Sequence, residues 1–129
     1  MDKKLVEDYM TRSVITMKPE STIFEAAETF IKNKISGAPV IDENSKVVGI
    51  LSEWDCLSVI LKGKFEKFPS GNVSEYMSRS VITVAPDTGV FEVTQLFIDK
   101  RYHRIPVVKN DKLVGIISRR DLLSAIKSV

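Results

Sequence analysis

The stretch DYMTRSVITMKP at residues 8–19 decides the fold, because EYMSRSVITVAP at residues 75–86 repeats it 67 positions later. The same spacing continues through IFEAAETFI and VFEVTQLFI, and then through APVI and IPVV. One extra residue in the turn ENSK shortens the spacing to 66, at which GILSEWD (49–55) aligns with GIISRRD (115–121). Repetition at a fixed period over nearly the whole chain predicts two copies of one structural unit.

Each copy changes its hydrophobic periodicity in the same order, and this order predicts the elements β-α-β-β-α. The runs SVITM and SVITV are β-branched and are soon followed by a proline, as in a short strand. TIFEAAETFIKNK has a helical period, and Thr22 with Glu25 predicts a capping box at its start. Two strands follow around a polar turn at 43–46 or 109–111. The last helix is predicted at 53–61 and 119–127, and the expected fold class is α+β.

The apolar positions of the first helix in each copy are expected to face the core. In the first copy the helical stripe consists of Ile23, Phe24, Ala27, Phe30 and Ile31. Phe91 and Phe97 recur at the positions of Phe24 and Phe30, as packing between equivalent helices would require. These aromatic residues do not indicate a cofactor site.

The composition of the 129 residues is typical of a soluble globular protein, with 43% hydrophobic and 28% charged residues. No apolar run approaches the roughly 20 residues that span a bilayer, and the N-terminus lacks the apolar segment of a secretory signal. We therefore expect a cytoplasmic protein that does not bind membranes. The net charge of +2 is too weak to predict nucleic-acid binding. A local basic cluster leaves such binding as a minor alternative: Arg101, His103, Arg104, Arg119 and Arg120.

Two residue types that occur once limit the possible chemistry. Cys56 is the only cysteine, so an intrachain disulfide and a multi-cysteine zinc site are excluded, and its apolar surroundings predict a buried thiol. His103 is the only histidine, and the sequence shows neither a nucleophile–base pair nor a G-x-x-x-x-G-K-[ST] phosphate loop. We expect no catalytic residues, no metal site and no required cofactor.

Both copies contain the motif Gly-x-x-Ser-x-x-Asp, at residues 49–55 and 115–121, and this motif has two interpretations. Ser-x-x-Asp before an apolar run is an ordinary helix start, in which the serine caps the helix and the aspartate complements its dipole. Alternatively, the free N–H groups and Ser118 bind a phosphate, while the carboxylate of Asp121 accepts hydrogen bonds from the cis-diol of a ribose. The two roles do not exclude each other.

The ordered set of motifs resembles tandem cystathionine beta-synthase (CBS) domains, the pair known as a Bateman module. The set comprises V-x-[DE]-Y-M at Val6–Met10 and Val73–Met77, h-P-V-h around Pro39-Val40 and Pro106-Val107, and the two Gly-x-x-Ser-x-x-Asp runs. The resemblance covers almost the whole chain. It divides the chain into repeat 1 (1–62), a linker (63–72) and repeat 2 (73–129), and it implies that the repeats pack around a pseudo-twofold axis.

The same resemblance implies a regulatory module and not an enzyme. Members of this family bind adenosine-containing ligands (AMP, ADP, ATP or S-adenosylmethionine) in clefts between the repeats. Their regulatory role implies that the chain signals to a target protein, which the sequence does not identify. It also implies a homodimer formed through exposed helices. Apolar residues on more than one face of the last helices agree with this: Leu57, Val59, Ile60, Leu61, Leu122, Leu123 and Ile126. The alternative is a ligand-free interaction or scaffold module in which the motif only caps.

The resemblance also assigns ligand roles to individual residues. It places adenine between the end of the first strand and the start of the second, at Thr16, Ala38 and Pro39 in repeat 1 and at Thr83, Ile105 and Pro106 in repeat 2. Strand propensity explains the two threonines equally well. The serine and aspartate of each motif are assigned to phosphate and ribose, as Ser52 with Asp55 and Ser118 with Asp121.

The two copies differ most in charge. RYHRIPVV is similar to the regulatory subunits of AMP-activated kinases, which assigns phosphate contacts to Arg104 and His103. Arg119 and Arg120 are either further phosphate ligands or solvated charges on the helix surface. Repeat 1 has Ser36, Gly37, Glu53 and Trp54 at the positions of His103, Arg104, Arg119 and Arg120. We therefore expect two clefts of unequal charge, of which the one supplied by Arg104 and Ser118 prefers phosphorylated ligands. The sequence leaves open whether a basic residue of one repeat contacts the ligand held mainly by the other.

Overall fold

The computed structural model describes residues 4–62 and 71–128, so residues 63–70 of the predicted linker lie outside the described residues. The chain forms two compact units. The repeat-1 unit consists of Ile15–Val81, and the repeat-2 unit combines Met1–Val14 with Ile82–Val129. The boundaries of these units in space differ from the boundaries of the repeats along the sequence.

The described part of the repeat-1 unit contains a β-hairpin surrounded by helices. Its elements are α1 (Ile23–Asn33), β1 (Gly37–Ile41), β2 (Val47–Ser52), α2 (Glu53–Lys62) and α3 (Val73–Tyr76). The two strands pair antiparallel from Gly37 opposite Ser52 to Ile41 opposite Val47. The predicted capping box begins α1, because Thr22 Oγ1 accepts from Glu25 N at 3.1 Å and the Glu25 carboxylate accepts from Thr22 N at 3.1 Å.

The repeat-2 unit has the same hairpin between helices. Its elements are a 3₁₀ turn (Val6–Asp8), α4 (Val90–Lys100), β3 (Arg104–Lys109), β4 (Lys112–Ser118) and α5 (Arg119–Lys127). The strands pair antiparallel from Arg104 opposite Ser118 to Lys109 opposite Lys112. Asn110 and Asp111 make the tight turn, with φ angles of 53° and 62° that suit these two residue types. The α+β class is confirmed, as is the order α-β-β-α of the last four predicted elements of each repeat.

The predicted opening strand of each repeat is reduced to one bridged residue. Met17 pairs with Val40 in a parallel bridge. Its N–H donates to Pro39 O and its carbonyl oxygen accepts from Ile41 N, each at 3.0 Å. Val84 lies beside Val107 in the same way, with hydrogen bonds of 3.1 and 2.8 Å. The β-branched runs SVITM and SVITV therefore predicted where the chain meets the hairpin, but overestimated how far the pairing extends.

The N-terminal segment of the chain packs against the body of repeat 2. Val6 N donates to Thr88 O at 2.8 Å, and Thr11 and Ile116 exchange two hydrogen bonds of 2.9 Å. The side chain of Val6 is fully buried in the hydrophobic cluster that also contains Ile105. The first residues of repeat 1 thus complete the core of the repeat-2 unit.

The corresponding segment of repeat 2 completes the repeat-1 unit. Val73 N donates to Ser21 O at 2.8 Å, and Ser78 and Ile50 exchange two hydrogen bonds of 2.9 Å. The side chain of Val73 is fully buried with the core residues of this unit. Each of these contacts repeats one made by the N-terminal segment, so the two repeats exchange their opening segments symmetrically.

The motif glycines allow these segments to approach the hairpins closely. A Cβ atom at Gly115 would lie 2.6 Å from Met10 Sδ and 3.0 Å from the carbonyl oxygen of Thr11. At Gly49 it would lie 2.5 Å from Met77 Sδ. Because these distances are shorter than van der Waals contact, the glycine of Gly-x-x-Ser-x-x-Asp is required by packing.

The buried face of α1 differs from the predicted stripe. Ile23, Ala26 and Phe30 are at most 6% exposed, whereas Phe24 is 53% and Ile31 78% exposed. The prediction was wrong for Phe24 and Ile31. Each follows a buried residue by one position, about 100° around the helix, and α1 buries only the narrow face at i, i+3 and i+7.

The other helices show the same separation between a buried and an exposed apolar face. Phe97 of α4 is buried, but Phe91 is 90% exposed, so its expected place in the core was wrong. Among the apolar residues noted on the last helices, Val59 is 1% exposed and Leu122 packs against the core of its unit. The others are exposed: Leu57, Ile60, Leu61, Leu123 and Ile126. Within residues 4–62 and 71–128, no helix combines the length and apolar character needed to cross a membrane.

Candidate functional site

The second copy of the motif forms the start of α5. Ser118 precedes the helix in an extended conformation, and its Oγ accepts from Asp121 N at 3.1 Å. In return Asp121 Oδ2 accepts from Ser118 N at 2.9 Å. This is the reciprocal helix cap that the sequence predicted. Both side chains are only half-buried, so they remain accessible to a ligand.

The first copy forms the start of α2 with a related geometry. Ser52 donates from both N and Oγ to Asp55 Oδ2, at 2.7 and 3.0 Å, and Ser52 Oγ accepts from Asp55 N at 3.3 Å. The next residue, Cys56, packs against the core of the unit and is half-buried. Burial, and secondarily the charge of Asp55, raise the pKa of the Cys56 thiol.

The start of α5 has one main-chain N–H group without a hydrogen-bond partner among the described residues. Arg119 N donates to His103 O at 3.3 Å, and Asp121 N donates to Ser118. Between them, Arg120 N makes no hydrogen bond with any residue in the described ranges. Such an N–H group carries part of the positive end of the helix dipole and is suited to an anion.

The predicted phosphate residues of repeat 2 lie together beside this helix start. Arg104 begins β3 directly opposite Ser118 at the end of β4. Residues opposite each other in an antiparallel pair have Cβ atoms about 5 Å apart. His103 Nδ1 lies 2.9 Å from Arg119 Nη2. Because a guanidinium only donates, Nδ1 is the acceptor in this contact, and Nε2 is the ring atom left to face a phosphate.

The equivalent surface of repeat 1 has a different charge. Gly37 stands opposite Ser52, in the place of Arg104, and therefore offers no side chain to a phosphate. Glu53 and Trp54 follow Ser52, and Trp54 is 74% exposed. In repeat 2, Arg119 and Arg120 are exposed at these positions. Four basic residues thus occupy positions next to Ser118 in the fold, whereas the equivalent positions next to Ser52 carry no basic residue.

The residues assigned to adenine lie near the motif of the same unit, but the side chains of several of them are buried and not available to a ligand. Ala38 and Ile105 are at most 1% exposed, since their side chains belong to the hydrophobic clusters. Pro39 and Pro106 are equally buried, and their carbonyl oxygens accept the hydrogen bonds from the bridged residues of the opening runs. Adenine contacts at these four positions would therefore use the backbone.

The two threonines of the adenine assignment are the accessible members of that set. Thr16 is half-buried beside Met17, and Thr83 is exposed beside Val84. Each unit accordingly contains its own predicted set, with Thr16 in the repeat-1 unit and Thr83 in the repeat-2 unit.

The sequence prediction missed one residue at the repeat-2 motif. Thr11 Oγ1 lies 3.3 Å from Oδ1 and 3.4 Å from Oδ2 of Asp121 and donates to that carboxylate. Thr11 belongs to the N-terminal segment, more than 100 residues earlier in the chain. Only the exchange of the opening segments brings it to this site, and no local pattern indicates that exchange.

Comparison with known proteins places these features in a family. The chain is 29% identical to CBSX2 of Arabidopsis thaliana, solved in complex with AMP, with a TM-score of 0.86 over 97% of both chains. It is 30% identical to the CBS domain pair of MJ0100, solved with 5′-methylthioadenosine and S-adenosyl-L-methionine, with a TM-score of 0.83 over 98% of both chains.

A longer relative contains the same region. The chain is 30% identical over 124 residues to the uncharacterised protein MJ1225 of Methanocaldococcus jannaschii, and the match covers 95% of this chain but only 43% of that relative. The CBS domain family matches residues 6–62 and 73–128, which agrees with the repeat found in the sequence. The chain belongs to the CBS domain family and carries two copies of the domain.

Proposed function

We propose that this chain is a non-catalytic regulatory module that binds an adenosine-containing ligand, AMP, ADP, ATP or S-adenosylmethionine, at its Ser-x-x-Asp helix starts. One observation carries the proposal: Arg104 stands directly opposite Ser118, at a helix start that also presents Arg120 N–H and the half-buried Asp121 carboxylate. Donors for a phosphate and acceptors for ribose hydroxyls are thus combined at one edge of the hairpin. The complexes of CBSX2 and MJ0100 support the same class of ligand.

The two motifs are proposed to differ in ligand preference. At Ser118 the basic side chains and the helix dipole attract a phosphate. At Ser52 the carboxylate of Glu53 repels it, and Gly37 supplies no counterpart to Arg104. A nucleoside without phosphate, or a cationic ligand such as S-adenosylmethionine, is therefore better suited to the repeat-1 motif. AMP is better suited to the repeat-2 motif.

Calorimetric titration of AMP and adenosine tests this proposal. We expect the wild-type chain to bind AMP more tightly than adenosine. Arg104→Ala is expected to weaken AMP binding about tenfold, the size of one charge-assisted hydrogen bond, and to leave adenosine nearly unchanged. Lys109→Ala is the matched control, because it removes a positive charge from the far end of the same strand. Equal affinity of the wild type for AMP and adenosine would contradict the phosphate preference.

The ligand-free scaffold is the alternative, since each motif already satisfies itself as a helix cap. A thermal-shift series with AMP, ATP and S-adenosylmethionine distinguishes the two functions. A ligand that binds only the folded chain raises its Tm as the ligand concentration increases. The absence of any shift at millimolar concentrations of all three would favour the scaffold.

We further propose that the chain self-associates through its exposed helix faces. The same faces would offer a signalling module a surface for contact with a target protein. Phe24 and Ile31 of α1 have exposed counterparts in Phe91 and Ile98 of α4. Exposed apolar side chains on α2 and on α5 add to this apolar surface within each unit. Cytoplasmic location remains part of the proposal.

Sedimentation velocity tests self-association. We expect the wild type to sediment as a dimer at micromolar concentration and Phe91→Lys to dissociate, because a charge replaces a side chain that is 90% exposed in the single chain. The control is Glu92→Lys, which adds a lysine at the next exposed position of the same helix. A wild-type monomer, or a Phe91→Lys dimer as stable as the wild type, would refute the assignment of this face.

A further inference from the structure

The two motifs satisfy their aspartates with different hydroxyl groups. At α2, Ser52 Oγ donates to Asp55 Oδ2 at 3.0 Å. At α5, Thr11 Oγ1 donates to Asp121, shared between the two carboxylate oxygens at 3.3 and 3.4 Å. Ser118 Oγ accepts from Asp121 N and donates to no residue in the described part of the chain. The hydroxyl hydrogen is therefore used in the first motif and available in the second.

The backbone around the two motifs does not explain this difference. Thr11 is held to Ile116 by two hydrogen bonds of 2.9 Å, and Ser78 is held to Ile50 by two of the same length. Both side chains are exposed at equivalent positions of the exchanged segments. The two side chains differ by one methyl group, but both carry a hydroxyl, so each position has a donor available. Among the described residues, Ser78 Oγ makes no hydrogen bond.

We propose that Thr11 is a positioning residue that makes the repeat-2 motif selective for phosphate. By donating to Asp121, Thr11 takes the role that Ser52 Oγ has at Asp55, and so leaves the Ser118 hydroxyl hydrogen for a ligand phosphate. The inference rests on the proposed function. It adds that selectivity at repeat 2 depends on a residue supplied by the opening segment of repeat 1.

The distinction matters because a serine hydroxyl has one hydrogen to donate. When that hydrogen is donated to a neighbouring carboxylate, the serine oxygen presents only lone pairs to a phosphate and cannot donate a hydrogen bond to it. Without Thr11 the Ser118 hydroxyl is expected to turn to Asp121, as Ser52 does at Asp55. Binding of adenosine, which has no phosphate, does not involve this hydrogen.

The test is calorimetric titration of AMP and adenosine into Thr11→Val, Thr11→Ser and Ser78→Ala. Valine has nearly the shape of threonine but no hydroxyl, so we expect the ratio of AMP to adenosine affinity to fall about five-fold, the size of one net hydrogen bond. Thr11→Ser restores a hydroxyl and is expected to keep the wild-type ratio. Ser78→Ala is the matched control at the equivalent position and is expected to leave the ratio unchanged.

The outcomes separate this inference from the function on which it rests. If the wild type binds neither AMP nor adenosine, the proposed function fails and the role of Thr11 fails with it. If the wild type prefers AMP and Thr11→Val keeps the full preference, only the role of Thr11 is refuted. A loss of preference in Thr11→Ser equal to that in Thr11→Val would also refute it. Thr11→Ala replaces the valine variant if the latter does not fold.

Discussion

Substituting Gly115 by alanine tests the exchange of the opening segments. The added Cβ atom would lie 2.6 Å from Met10 Sδ and 3.0 Å from Thr11 O, whereas carbon and sulfur atoms in contact normally lie more than about 3.4 Å apart. The methionine must therefore move by nearly 1 Å, and the backbone of Thr11 by a few tenths of an ångström. The same substitution at Gly49 would displace Met77.

The expected loss of stability follows from these distances. Overpacking of a folded interior costs about 1–3 kcal/mol, and replacing glycine by alanine recovers up to about 1 kcal/mol by restricting the unfolded chain. We expect Gly115→Ala to lower the free energy of unfolding by about 1–2 kcal/mol. Met10→Ala removes the atoms nearest to the added Cβ. In a chain that carries Met10→Ala, we therefore expect Gly115→Ala to cost about 1 kcal/mol less, because only the contact with the Thr11 carbonyl remains.

Urea unfolding of the single and double variants measures this coupling energy. The controls pair each glycine substitution with the methionine that does not contact it: Gly115→Ala with Met77→Ala, and Gly49→Ala with Met10→Ala. We expect relief only in the pairs that the structure places in contact. The exchange of opening segments is refuted if Met77→Ala relieves the destabilisation by Gly115→Ala, since repeat 2 would then be packed by its own opening segment. It is equally refuted if Gly115→Ala is not destabilising.

Three further predictions follow from local features. Val6→Ala should destabilise the chain by about 2 kcal/mol in urea unfolding, because this fully buried side chain of the N-terminal segment belongs to the repeat-2 core. Hydrogen bonds from the backbone N–H and then the side chain of Thr22 lower the pKa of Glu25. The Glu25 carboxylate therefore stabilises the folded chain at pH values above its ordinary pKa, and this stabilisation is lost as the pH falls through the lowered pKa. An NMR titration should show the pKa of Glu25 rising towards its ordinary value in Thr22→Ala. Since the pKa of Cys56 is raised, its alkylation by iodoacetamide at neutral pH should be slower in the folded chain than in urea, and equal rates would contradict the burial.

The sequence predicted the elements that depend on local pattern and repetition. The capping box at Thr22, the hairpins and the helices that follow each motif are all determined by residues close in the chain. The apolar stripe of α1 was only partly predicted. Periodicity identifies which residues share a face, but Phe24 and Ile31 show that an amphipathic helix can carry apolar residues beyond the face that its own unit buries.

The site was less predictable where it depends on distant contacts. Arg104 and Ser118 could be paired from the two strands and the turn between them, and the structure places them opposite each other. Thr11 could not be found in this way, since the sequence repeat suggests that each copy folds on its own segment. The exchange follows from the docking of Val6 and Thr11 on repeat 2, which involves backbone hydrogen bonds and carries no sequence signature.

A crystal structure of the chain grown with saturating AMP would show whether the Ser-x-x-Asp helix starts hold an adenosine ligand. We expect AMP with its ribose hydroxyls within about 3.2 Å of a motif carboxylate and its phosphate beside Ser118, Arg120 N–H and Arg104. We also expect that Thr11 still donates to Asp121 while Ser118 Oγ donates to the phosphate. AMP bound away from both motifs, or motifs that remain empty at saturating AMP, would show that these helix starts are not the adenosine site.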